Sequence, residues 1–137
     1  MGAWGPNTFD NDTAMDWLHE LYASGDFTLV HKTLLRLSGP PEEFTQCLIE
    51  ERALAAAEIV ACWLGHPPAG KEGLDQWVGK HTDWFTPEIL ALALETVALI
   101  KTKSQLRQMR MDNHGVVQAE WLDSIADLER RLEMERG

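Results

Sequence analysis

Four acidic residues near the start of the chain are spaced so that they could act together as ligands or as a binding surface: Asp10, Asp12, Asp16 and Glu20. On a helix, the four-residue spacing of the last three aligns their carboxylates along one face. Such oxygens could bind a divalent cation, but the segment lacks the glycine and the distal glutamate of a calcium-binding loop. Because the opposite face of this helix is apolar, we interpret the acids as a solvated surface and predict that they contact a partner.

A second pair of acids, Glu58 and Glu95, lies within the two most apolar segments of the chain. Facing glutamates in a helix bundle can build a dinuclear metal site, but neither residue belongs to the Glu-x-x-His pair that such sites use. We therefore expect Glu58 and Glu95 either at the solvent edges of their helices or buried and paired with Arg36 or Arg52. A metal site that uses them is the alternative.

The other reactive side chains form no catalytic pattern. No two of the five histidines stand three or four residues apart, as a helical metal pair requires. Cys47 and Cys62 fall on one predicted helix, and a separation of about 22 Å along its axis is beyond disulfide reach. We expect both to be free, buried thiols. The glycines form no phosphate-binding loop, so the sequence predicts no catalytic residue, no metal and no cofactor.

Four of the twelve basic residues cluster late in the chain: Lys101, Lys103, Arg107 and Arg110. Near the end of a helix, cations complement the negative end of the helix dipole. The cluster could also meet an acidic partner or, in a homodimer, the acidic surface of a second copy. The sequence leaves these alternatives open.

The composition narrows the classes of function. The 137 residues include 22 acidic side chains and 12 Lys or Arg, for a net charge of −10, and 45% of them are hydrophobic. The hydrophobic content argues against disorder, and the negative charge argues against nucleic-acid binding and an anionic membrane surface. With neither a leader segment nor paired cysteines, the sequence indicates a cytoplasmic protein. We expect one domain over residues 1–137.

Hydrophobic periodicity predicts the all-α class, as a single compact bundle of five to six helices that positions these side chains. Residues 1–11 are expected to be an ordered loop that packs through Trp4 and Phe9, and residues 12–137 to be the helical body, with an Ala-rich third helix at its centre. In the last helix, Asp127 and Arg131 fall away from the apolar stripe. The predicted helices cover residues 12–24, 27–37, 41–65, 74–80, 87–100 with a continuation to 111, and 116–135.

The first eighteen residues carry a distinctive pattern, in which an MGAWG segment is followed by FDND, an alanine and a DW pair. This pattern resembles the start of the bacterial family called domain of unknown function 4259, and looser similarity extends along nearly the whole chain. The resemblance implies no activity, but it implies that the opening segment is a defined element. Its aromatic residues would dock on the body, and its Asp and Asn residues would bond loop amides and cap the first helix. We assign this structural role to Trp4, Phe9, Asp10, Asn11, Asp12 and Trp17.

Three hypotheses of function follow. We favour a non-catalytic protein-interaction module that binds a basic protein partner through the four N-terminal acids, as bacterial immunity proteins and antitoxins do, because negative charge steers such encounters. The alternative is a carboxylate-based metal-binding protein or hydrolase, built either on the N-terminal acids or on the pair of acids within the apolar helices. The third is a homodimer whose role is assembly.

Overall fold

The all-α class predicted from the sequence is confirmed by the computed structural model, which describes residues 5–41, 45–70 and 72–134. These residues form seven α-helices and one 3₁₀ helix, and their buried hydrophobic side chains belong to one cluster. No helix in the described ranges is both long and apolar enough to cross a membrane. The elements are α1 (Asp12–Ser24), α2 (Thr28–Leu37), α3 (Gln46–Trp63), α4 (Glu72–Val78), the 3₁₀ helix (Gly79–Trp84), α5 (Pro87–Thr102), α6 (Gln105–Met109) and α7 (Ala119–Glu133).

Local capping signals set both ends of α1, which has the predicted bounds. The side chain of Asn11 accepts a hydrogen bond from the amide of Ala14 at 2.8 Å, so one free amide of the first turn is satisfied. At the other end, Gly25 takes a left-handed conformation with φ of 63°, which glycine adopts without steric cost. Trp17 and Leu21 are buried on the inner face of α1, and the helix packs on α3.

Helix α3 is central, as predicted, because it packs against α1, α2, α5 and α7. Small side chains allow helices to approach closely on several sides. The helix begins at Gln46 rather than near Pro41, which lies outside any helix; residues 42–44, where the predicted helix would start, lie outside the described residues. Its completely buried alanines are Ala53, Ala55, Ala56, Ala57 and Ala61.

The predicted fourth helix is interrupted, so its expected continuation to residue 111 is wrong. Lys103 has a non-helical backbone (φ −145°, ψ 78°), and the chain restarts as α6. Two side chains stabilise the new helix start. The hydroxyl of Ser104 accepts from the amide of Arg107 at 2.9 Å, and the buried Glu50 accepts from the amide of Leu106 at 2.8 Å.

Two other helix starts differ from the prediction. Helix α7 begins at Ala119 rather than residue 116, because Met111 and Val117 form an antiparallel bridge that keeps this stretch extended. Helix α2 begins at Thr28 rather than residue 27, and the amide of Thr28 donates to the carboxylate of Asp26 at 3.0 Å. The short helix predicted over 74–80 is present as α4 and the 3₁₀ helix that follows it.

Candidate functional site

The N-terminal loop, here residues 5–11, is fixed to the helical body, as its sequence pattern predicts. Phe9 is buried in the core. The buried side chain of Asn11 both caps α1 and donates from Nδ2 to the carbonyl of Thr8 at 3.0 Å. These contacts join the loop to the first helix and to the core of the helical body. The predicted docking of Trp4 lies outside the described residues.

The carboxylate of Asp10 organises the tip of this loop. It accepts a hydrogen bond from the amide of Asn7 at 3.0 Å. A side chain at Gly5 would collide with this carboxylate and displace it, so glycine at this position permits the close approach. Arg110, which follows α6, donates from Nη2 to the carbonyl of Gly5 at 3.1 Å and ties the loop to the late part of the chain.

Beneath the loop lies Glu58, an acid of α3 that is 2% exposed. Its Oε1 accepts from Nη1 of Arg131 at 2.7 Å, and its Oε2 accepts from Nη2 at 3.2 Å. Oε2 also accepts from the hydroxyl of Thr8 at 2.8 Å. The expected pairing with Arg36 or Arg52 is therefore wrong. The partner comes from α7, which crosses α3 at this point.

Arg131 is shared by three acceptors. Besides Glu58, it binds Asp127 through Nε at 2.7 Å and the carbonyl of His66 through Nη1 at 3.2 Å. Burial alone would lower the pKa of Arg131, but the hydrogen bonds and charges of Glu58 and Asp127 outweigh burial and raise it. A permanently charged guanidinium that donates four hydrogen bonds thus joins α7, α3 and the turn after α3.

A cleft of about 220 Å³ opens between the loop and this buried pair. Because both oxygens of Glu58 already accept hydrogen bonds from Arg131 and Thr8, this acid serves to hold the loop onto α7. The cleft can offer hydroxyl and carboxylate acceptors to a polar or positively charged group at its mouth. Its polar side chains include Thr8, Asp10, Glu58, Ser124, Asp127 and Arg131.

Asp127 gives this cleft a testable pH dependence. Burial pushes its pKa upward, but hydrogen bonds and positive charge from Arg131 and Arg130 outweigh burial, so the pKa lies below the ordinary 3.8. A depressed pKa contributes stability above the unfolded pKa and loses it as pH falls through the folded pKa. The difference in free energy of unfolding between the native chain and Asp127→Asn should therefore be constant from about pH 7 to 5 and shrink from about pH 4 to 2. Urea titrations at each pH measure it, and a difference that persists unchanged to the acid end contradicts the assignment.

The four N-terminal acids lie where a partner could reach them. Asp12, Asp16 and Glu20 are exposed on α1, opposite its buried face, and Asp10 is half-buried at the cleft. Across the three described ranges, no salt bridge involves any of these acids. We call Asp10, Asp12, Asp16 and Glu20 the acidic surface.

The carboxylates proposed for the alternative metal site are not brought together. Glu58 is buried against Arg131, whereas Glu95 is exposed on α5. Among the described residues, no group of three or more His, Cys, Asp or Glu side chains is arranged to hold a metal ion. The geometry therefore gives no observation that favours the metal-binding or hydrolase hypothesis.

The two cysteines are free, as predicted, but only Cys62 is fully buried. Cys47 is half-buried, and its Sγ lies 3.1 Å from Sδ of Met109. Burial raises the pKa of the Cys47 thiol, as do the negative charges of Glu50 and Glu51. A raised pKa disfavours the reactive thiolate, which agrees with a structural role.

Sequence reasoning missed most of the buried polar network. It placed Arg131 on the exposed side of the last helix, whereas this side chain is 9% exposed. The available signal was the four-residue spacing of Asp127 and Arg131, which is typical of a helical ion pair. Thr8 and Glu50 gave no signal, because their partners are 50 and 56 residues away.

The comparisons with known proteins agree with the N-terminal pattern. Neither a curated protein nor a solved structure matches the chain. The family model described as Domain of unknown function (DUF4259) matches residues 2–124, which is most of the chain and includes the loop and the acidic surface. The chain therefore belongs to the DUF4259 family.

Proposed function

We propose that this chain is a non-catalytic protein-interaction module that binds a basic protein through the acidic surface. The observation that carries the proposal is the exposure of Asp12, Asp16 and Glu20 along one side of α1, with no salt bridge to any residue in the described ranges. The buried carboxylate of Glu58, in contrast, is neutralised by Arg131. Charges left unpaired at the surface are the ones that a partner can use.

The scaffold supports recognition because it holds these acids on a regular helix. Helix α1 is capped by Asn11, closed by Gly25 and anchored by buried Trp17. Asp10 is held by the amide of Asn7. A surface that is ordered before binding loses little conformational entropy when a partner arrives.

The charge also favours a basic partner. At a net charge of −10, the chain attracts positive surfaces over a Debye length of about 8 Å at physiological salt. Such attraction raises association rates more than it lengthens the lifetime of a complex. This behaviour suits an immunity or antitoxin role, in which a basic toxin must be captured quickly.

The test removes three charges from the acidic surface. Immobilised Asp12→Asn/Asp16→Asn/Glu20→Gln and the native chain are exposed to lysate of the producing cells at low and high salt, and retained proteins are quantified. Three rim charges worth about 0.5 kcal/mol each should together weaken a basic partner's affinity about tenfold. The purified partner's association rate with the native chain should fall with added salt.

The matched control removes the same charge elsewhere. Glu95, Asp123 and Glu133 are exposed on α5 and α7, and their triple replacement by Gln, Asn and Gln should leave partner binding within about twofold, by long-range charge alone. Equal losses in both triple variants would refute a localised surface. Light scattering of the native chain tests the assembly hypothesis: a dimer that the N-terminal triple variant dissociates would assign the acidic surface to a second copy.

A further inference from the structure

The basic cluster near the end of α5 divides into two pairs with different surroundings. Lys101 binds Glu129 at 2.9 Å. Arg110 binds the carbonyl of Gly5 and, at 3.2 Å, the side chain of Gln118. By contrast, the side chains of Lys103 and Arg107 form neither a salt bridge nor a hydrogen bond in the part of the chain that the structure describes. In a chain with 22 acids and 12 Lys or Arg, two adjacent cations without an acid are unexpected.

Both cations line a groove that exists because the predicted long helix is broken. The groove has a volume of about 430 Å³ and lies between the first turns of α3 and the α5–α6 junction. If the helix continued through Lys103, the residues after it would extend α5 along its regular path instead of starting α6. The groove's polar side chains include Gln46, Glu50, Lys103, Gln105, Arg107 and Gln108.

Among the described residues that line this groove, the one carboxylate is Glu50, which already has hydrogen-bond donors. Oε1 of Glu50 accepts from the amide of Leu106 at 2.8 Å, and Oε2 accepts from Nε2 of Gln46 at 3.4 Å. The negative charge of Glu50 thus faces the first turn of α6 and the side chain of Gln46 on α3. Lys103 and Arg107 supply the opposite charge, so the described side chains that line the groove carry a net positive charge in a strongly acidic protein.

Arg107 also has an unsatisfied donor. Its Nε is buried, and no hydrogen-bond acceptor faces it. Buried polar atoms almost always have a hydrogen-bond partner, so each exception needs an explanation, and a bound acceptor is one of them. The Nε–Nη edge of a guanidinium is the edge that binds oxyanions side-on, so an oxyanion that reached this edge would satisfy the buried Nε.

We infer that this groove binds a small ligand through an oxyanion, either a phosphate or a carboxylate, with Arg107 and Lys103 as the charged contacts. A volume of about 430 Å³ lies within the range of ligand pockets, about 300–1,000 Å³. The neutral amides of Gln105 and Gln108 would bind the uncharged remainder of the ligand. This site is separate from the acidic surface, so either can exist without the other.

The test follows the Nε–H resonance of Arg107 by nuclear magnetic resonance of the full chain. Inorganic phosphate and citrate are titrated separately, with sodium chloride adjusted to constant ionic strength. A saturable shift of this resonance, with little change at Arg130 Nε–H, is expected for at least one anion. The anion that saturates at lower concentration distinguishes a phosphate ligand from a carboxylate ligand.

Variants of Arg107 then separate the contribution of its positive charge from that of its planar guanidinium. Arg107→Gln should weaken the affinity of the better anion at least about tenfold, and Arg107→Lys should recover only part of it. Lys32→Gln, which removes an exposed cation from α2, should have no effect. Equal effects of the two Gln variants, or shifts that never saturate, overturn the inference. A shift that depends on protein concentration without added anion also overturns it, because a carboxylate of a second copy would then occupy the groove.

Discussion

Replacing Glu58 with glutamine should lower the free energy of unfolding by about 3 kcal/mol. The substitution leaves the guanidinium of Arg131 buried, at 9% exposure, without its main counter-charge. Removing one partner of a buried ion pair costs about 3–5 kcal/mol. We expect the lower end, because Asp127 and the carbonyl of His66 continue to accept from Arg131. Urea unfolding at neutral pH measures the loss.

Two controls make this expectation specific. Glu95→Gln is the same chemical change at an exposed site on α5 and should alter stability by no more than about 0.5 kcal/mol. The double variant Glu58→Met/Arg131→Leu removes both charges together and should recover most of the loss, since an apolar pair of similar size can replace a buried ion pair. If Glu58→Gln were as mild as Glu95→Gln, the pair would not be an essential link of the fold.

The buried pair connects stability with the proposed function through the N-terminal loop. Oε2 of Glu58 accepts a hydrogen bond from the hydroxyl of Thr8, with the two oxygens 2.8 Å apart. Thr8 lies two residues before Asp10 in the loop. Loss of the pair therefore weakens one of the contacts that hold the segment carrying Asp10, a member of the acidic surface. Binding measurements on Glu58 variants must be read beside their stability, because a partly opened loop would weaken a partner without removing any surface charge.

Local signals explain why much of the fold could be predicted. The Asn11 cap, Gly25 and the apolar face between them define α1 within a few turns of chain, so periodicity and capping rules suffice. The alanines of α3 likewise identify a helix with neighbours on several sides. The exposure of the three acids of the acidic surface that lie on α1 follows from the same amphipathic pattern, because they lie opposite the buried face.

The remaining features depend on contacts between distant parts of the chain. The break at Lys103 is stabilised in part by Glu50, whose carboxylate reaches the start of α6 from another helix. Arg131 is buried because Glu58, 73 residues away, receives it. Periodicity assigns a charged residue to the surface by default, and no local pattern tells which acid will compensate a buried arginine. The cleft beneath the N-terminal loop and the groove lined by Lys103 and Arg107 both arise from such contacts.

Replacing Phe27 with alanine should lower the free energy of unfolding by about 3–5 kcal/mol. Phe27 is 1% exposed, and its ring centroid lies 5.7 Å from that of Trp63, 5.0 Å from Trp77, 4.9 Å from His81 and 6.4 Å from Trp84. It thus joins the start of α2 to α3, α4 and the 3₁₀ helix. Chemical denaturation measures the loss, and tryptophan fluorescence of the folded variant should change because indole surroundings are altered.

The loss of stability at Phe27 depends on the aromatic contacts of the ring as well as on the cavity that its removal leaves. Phe27→Leu keeps most of the apolar volume but removes the aromatic contacts, and should cost about 1.5 kcal/mol. Leu35→Ala on the same helix removes a side chain that is 48% exposed and should cost no more than about 0.5 kcal/mol. A Phe27→Ala variant as stable as Leu35→Ala would mean that α4 and the 3₁₀ helix pack on α3 without this ring. Since Trp84 at the edge of the cluster is 42% exposed, the deeply buried Phe27 is the residue on which we expect that packing to depend.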